Sequence, residues 1–165
     1  MGILTRFRPD VTVLEIEYRG EMQTVAVVVP GFLRWQEIVA QVPEPAIPYT
    51  APGKAANRDD PEYVGAVNRA YNRRKALLVA EALQAADEAG GAEGVARNEL
   101  PGRTLEERAD AVEALPWGIV NAIYAYMIGT LNPEAKEAAL AQRARSFHGL
   151  ADTRDDGLPA LPADA

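Results

Sequence analysis

One serine, Ser146, and one histidine, His148, are the side chains here with the most familiar catalytic uses, and they stand two positions apart. On a helix that spacing turns them about 200° away from each other, so the imidazole cannot take the hydroxyl proton. A Ser–His hydrolase site is therefore excluded, and His148 reads as a solvated side chain at the edge of the C-terminal tail. The chain has no cysteine, which removes thiolate catalysis, disulfides and Cys-ligated zinc and fits a reducing cytoplasm. Glu106, Glu107, Asp110 and Glu113 read as a solvated helix face balanced by Arg103 and Arg108, not as a metal-binding set. The tripeptide "PGK" at 52–54 lacks the upstream glycine and the Ser/Thr of a phosphate-binding loop. Carboxylates alone could do acid–base work, but no pair is singled out. No catalytic, cofactor-binding or metal-binding residue is assigned, and recognition is the chemistry left.

The stretch "NRAYNRRKALLVAEAL", residues 68–83, is the densest in recognition groups. Wound as a helix it places Tyr63, Val67, Tyr71, Leu78 and Ala85 on one apolar stripe, with Ala70 and Leu77 at its border. Arg69 and Arg73 fall on the far face together with Glu62, and Lys75 points elsewhere. The cations do not make one stripe and Tyr71 turns inward, so a nucleic-acid face is not expected. Arg74 is the anomaly, because it sits inside the apolar stripe with Glu81 two turns on. It snorkels, pairs with Glu81, or anchors a partner. Arg74, Trp35, Trp117 and Tyr124 are the candidate partner-binding residues.

The elements that must position these groups follow from periodicity and punctuation. With 165 residues, 24 acidic and 17 basic, the chain reads as one domain over 1–165 with a net charge of -7, repelling polyanions and acidic membranes at long range. The N-terminus is too polar for a signal peptide, and "WGIVNAIYAYMIG" is too short to span a bilayer. "VTVLEIEYRGEMQTVAVVV" predicts a β-hairpin turning at Arg19-Gly20-Glu21, with Thr12, Leu14, Ile16 and Tyr18 on one face. A short helix follows, with Trp35, Ile38, Val39 and Val42 at helical spacing, so 11–42 is a hairpin plus helix. Prolines 43, 45, 48 and 52 make 43–60 an extended strap. Asp60-Pro61 starts a helix running to about Glu88. Thr104 and Glu107 form a capping box opening a second helix at Leu105, and Pro116 allows a restart into an apolar, buried or interface helix. Asn132-Pro133 opens a last helix to about Phe147, completing a helical part over 61–147. Residues 149–165, with Asp152, Asp155, Asp156 and Asp164 against Arg154, read as a disordered acidic tail. The expected fold is α+β and mostly α.

Three segments in this order, "VVVPGFLRWQEIVAQVPEPAIP", "DDPEYVGAVNRAYNRRKALLVAEAL" and "LPGRTLEERADAVEAL", resemble the tail-assembly chaperones and related small tail-module proteins of siphophage-type bacteriophages. The resemblance covers roughly residues 11 to 128. It implies a non-enzymatic virion-assembly protein, made in the infected host's cytoplasm, that keeps the tape-measure protein soluble and helps deliver tail-tube subunits. It also implies a frameshifted longer product, and it carries over no catalytic residue. Self-association is compatible with the surplus apolar surface. The alternatives are a structural tail or head–tail connector protein that stays in the virion, and a small carboxylate-dependent hydrolase that a divalent metal would stabilise.

Overall fold

The computed structural model describes residues 9–49 and 56–131. The expected helix to Phe147, Ser146, His148, the acidic tail and the "PGK" segment lie outside the described residues. The chain divides after Met127 into two units, and the hydrophobic core belongs to the first.

The protein is α+β and mostly helical. Strands β1 (Thr12–Tyr18) and β2 (Glu21–Val27) precede helices α1 (Phe32–Ala40), α2 (Pro61–Glu88), α3 (Leu105–Glu113) and α4 (Trp117–Leu131). The strands pair antiparallel, Thr12 facing Val27 and Tyr18 facing Glu21. Glu21 thus belongs to the strand, and the turn is the dipeptide Arg19-Gly20, both with positive φ (54° and 81°) as a two-residue hairpin turn of matching twist requires. Leu14, Ile16, Val25 and Val27 line the inner face, with Glu15 and Glu17 outside.

The long helix α2 is the axis of the body. Every residue from Lys75 to Ala80 is buried, as are Ala82, Leu83 and Ala86, so the helix is enclosed on all sides from Lys75 to Ala80 and opens toward solvent again at Glu88. The alanines there let neighbours approach closely. Ile38 of α1, Val27 of β2, Val112 of α3 and Val120, Ile123 and Met127 of α4 join Leu77, Leu78 and Val79 in one core. The Val28 amide donates to the Ala82 carbonyl at 3.0 Å, fixing the end of the hairpin to the helix. The Asn98 amide group donates to the Ala26 and Leu83 carbonyls at 2.8 and 3.0 Å, which ties down the loop after α2. Gly118 lets the start of α4 lie against the hairpin, since a Cβ there would stand 3.2 Å from the Tyr18 ring.

The helix starts are where local chemistry puts them. The Asp60 carboxylate accepts from the amides of Glu62 and Tyr63 at 2.9 and 3.0 Å, and Thr104 and Glu107 cap each other reciprocally. Among its described residues the strap leaves α1 without regular structure. Tyr49 and Ala56 form an isolated antiparallel bridge, and the Asn57 amide donates to the Pro48 carbonyl at 2.8 Å.

The first half of α2 corrects the expected stripe. Of the expected stripe, Tyr63 is half-buried, while Val67 and Tyr71 are 37% and 47% exposed, as is the neighbouring Val64 at 43%, so Tyr71 turns inward only in part. The apolar stripe is continuous, but the hairpin, α1, α3 and α4 cover only its second half. With 28 residues the helix is roughly 42 Å long, and its stripe outruns the body that buries it.

Candidate partner-binding site

Three helices, α1, α2 and α4, bring together an aromatic cluster whose centre is a cation. Trp35 of α1 stacks on Tyr124 of α4 with ring centroids 6.0 Å apart and planes at 24°. Tyr71 of α2 meets the same Tyr124 edge-on at 6.1 Å and 87°. The Lys75 ammonium then lies 4.8, 5.0 and 5.3 Å from the centroids of Tyr71, Trp117 and Tyr124. Each distance is within the range at which the negative face of a ring attracts a cation. Asn121 Oδ1 accepts from Nζ at 2.7 Å.

Lys75 is 7% exposed, and among the described residues no carboxylate pairs with it. Burial pulls its ammonium below the ordinary lysine value, and the rings and Asn121 pull the other way. Burial likewise pushes the Tyr124 phenol up to about 12, with Tyr71 adding to the shift. Tyr71 and Trp117 both contact the Lys75 ammonium and both keep solvent-exposed area, Trp117 being 37% exposed.

Of the expected partner-binding residues, Trp35, Trp117 and Tyr124 fall in this cluster. Arg74 does not. It is mostly buried, its Nε donating to the Val42 carbonyl at 2.8 Å and its guanidinium lying 3.6 Å from Glu44. Of the three readings of Arg74, the pair with Glu81 is not formed, because Glu81 accepts two bonds from Arg34 of α1 at 2.8 and 3.1 Å. Arg73 also departs from expectation. It reaches α3, donating to Asp110 at 2.7 Å and Glu113 at 3.1 Å, so those carboxylates are not a merely solvated face. Arg108 donates to the carbonyls of Gly102 and Arg103 rather than balancing them. Lys75, expected to point elsewhere, is instead the hub. The signal that could have found it is the four-residue step from Tyr71 to Lys75, which puts the two on one helix face.

Where the strap meets the first turns of α2, Pro45, Pro48, Tyr63, Ala66 and Arg69 line an open cleft of about 580 Å3. Among the described residues no cluster of three or more His, Cys, Asp or Glu side chains could hold a metal ion. No helix among them is long and apolar enough to cross a membrane. Comparison of the chain with protein-family models, curated proteins and solved structures finds no match.

Proposed function

We propose that the protein is a non-enzymatic tail-assembly chaperone of a bacteriophage, binding the tape-measure protein and tail-tube subunits in the host cytoplasm. The observation that supports this reading most is the overhanging stripe of α2. Val64, Val67 and Tyr71 continue the core-forming face beyond the body. An apolar face left open beside exposed aromatics is the surface type that marks protein partners. The choice of those partners rests on the resemblance of the motif order to tail-assembly chaperones. Co-expression with a tape-measure protein tests the reading: a chaperone keeps that protein in the soluble fraction, and Val67→Glu returns it to the pellet. A tape-measure protein equally soluble with and without this chain would overturn it.

The strap favours a second reading, a structural protein that stays in the virion. Its prolines and its single described bridge, Tyr49 to Ala56, suit an arm laid on a neighbouring subunit. Mass spectrometry of purified particles separates the two, since a chaperone is absent and a structural subunit is present at fixed stoichiometry.

A further inference from the structure

We infer that the face made by Val64, Val67, Tyr71 and Trp117 seats an amphipathic α-helix of another protein whose apolar stripe is flanked by carboxylates. The inference names the kind of segment recognised and rests on the binding role proposed above.

Shape gives the first half of the argument. Positions 64, 67 and 71 step by three and then four residues along an exposed helix, the spacing of a packing seam between helices. The residues bordering them, Asn68 and Ala70, are small or neutral. A second helix can therefore lie close along this face, with Trp117 from α4 as an aromatic anchor of the kind that dominates binding energies.

Charge gives the second half. Although the chain carries a net -7, the segment from Tyr63 to Ala80 contains no aspartate or glutamate and holds Arg69, Arg73, Arg74 and Lys75. Arg73 and Arg74 have acidic partners of their own. Lys75 has none among the described residues, and its charge lies directly beneath Tyr71 and Trp117. A charge buried without a counter-ion in a low-dielectric setting projects its field farther than a solvated one. A cation behind these two rings also draws their π density inward, so the outer faces become less repulsive to an anion. A carboxylate-flanked helix gains from that field and a lysine-flanked helix loses. The same charge argues against a second copy of this chain on the face, because isologous pairing would set two uncompensated Lys75 cations against each other.

The test uses fluorescein-labelled three-heptad peptides with leucine at the seam positions and either glutamate or lysine at the flanks, titrated with the full chain and read by anisotropy. The Glu-flanked peptide should bind about tenfold more tightly than the Lys-flanked one, equivalent to about 1.4 kcal/mol, although the protein's net charge favours the reverse. Lys75→Met should abolish the discrimination and leave residual apolar binding. Val67→Glu, at an exposed position that does not disturb the fold, should abolish binding of both peptides while its circular-dichroism melt stays unchanged. Equal or tighter binding of the Lys-flanked peptide, or binding indifferent to Val67→Glu, would overturn the inference. So would a sedimenting dimer that Val67→Glu dissolves, since that assigns the face to a second copy. If tape-measure capture fails while the peptide discrimination holds, the chaperone role falls and the docking surface stands. If capture succeeds without discrimination, the surface is wrong and the role stands.

Discussion

Lys75 is held by opposing effects of similar size. Burying an ammonium without a counter-ion costs several kcal/mol. Against that stand its ring contacts at 4.8 to 5.3 Å, each contributing on the order of 1–2 kcal/mol when desolvated, and a charge-assisted bond to Asn121. Lys75→Met keeps the stem and sets a thioether against the same rings, so it should fall within about 1 kcal/mol of the parent in urea denaturation. Lys75→Ala leaves the space empty and Trp117 unsupported, and should cost about 2 kcal/mol or more. The titration has a definite sign. Because the folded-state value lies below the ordinary lysine value of 10.5, the unfolded chain holds the proton longer. Stability should therefore rise as pH climbs through the folded value toward 10.5. Melts of the parent and Lys75→Met across that alkaline window check it as a difference, since the raised Tyr124 phenol lowers the stability of both above about pH 10 and only the parent carries the opposing rise. Arg19 offers a second residue-scale test. Its φ of 54° lies in the left-handed region, which costs a side-chain-bearing residue roughly 1 kcal/mol. Asparagine tolerates that region and completes the preferred Asn-Gly turn, so Arg19→Asn should raise the urea midpoint by an amount equivalent to about 0.5–1 kcal/mol.

At the scale of elements, the features legible in the sequence are those decided within a few residues. Asp60 reaches amides two and three positions on, and Thr104 and Glu107 close a box over three, so both starts could be placed without knowing the fold. Asp60→Ala should cost about 1 kcal/mol through the lost cap, and an unchanged urea midpoint would contradict it. The ends of the ion pairs were not legible, because they are chosen across the fold. Glu81 sits two turns from Arg74, yet Arg34, 47 positions away, takes it. Arg74 is left to hold the strap through the Val42 carbonyl, a contact no periodicity encodes. Arg74→Leu should fill apolar space but strand that carbonyl, costing about 1–2 kcal/mol. Because the lost bond is the one at the root of the strap, limited proteolysis within 43–60 should quicken well before global unfolding. An unchanged cleavage rate would mean that the strap is held by other contacts.

For the whole molecule, a helical wheel tells which residues share a face but not how far along the axis the body reaches. That is why the stripe of α2 is legible and its exposed half is not, and why the role of Lys75, whose neighbours Trp117 and Asn121 lie more than forty positions on, is not encoded in local spacing. The same separation of global from local governs the charge. The chain bears -7 overall, so a dissolved anion is repelled from its average surface, while the ground beneath Trp117 is positive. The consequence is optical. In a Trp35→Phe variant the remaining indole reports on that spot alone. At low ionic strength, where fields are least screened, iodide should quench its fluorescence more efficiently than caesium, inverting the order expected from the net charge. Adding Lys75→Met to the same variant should restore that order.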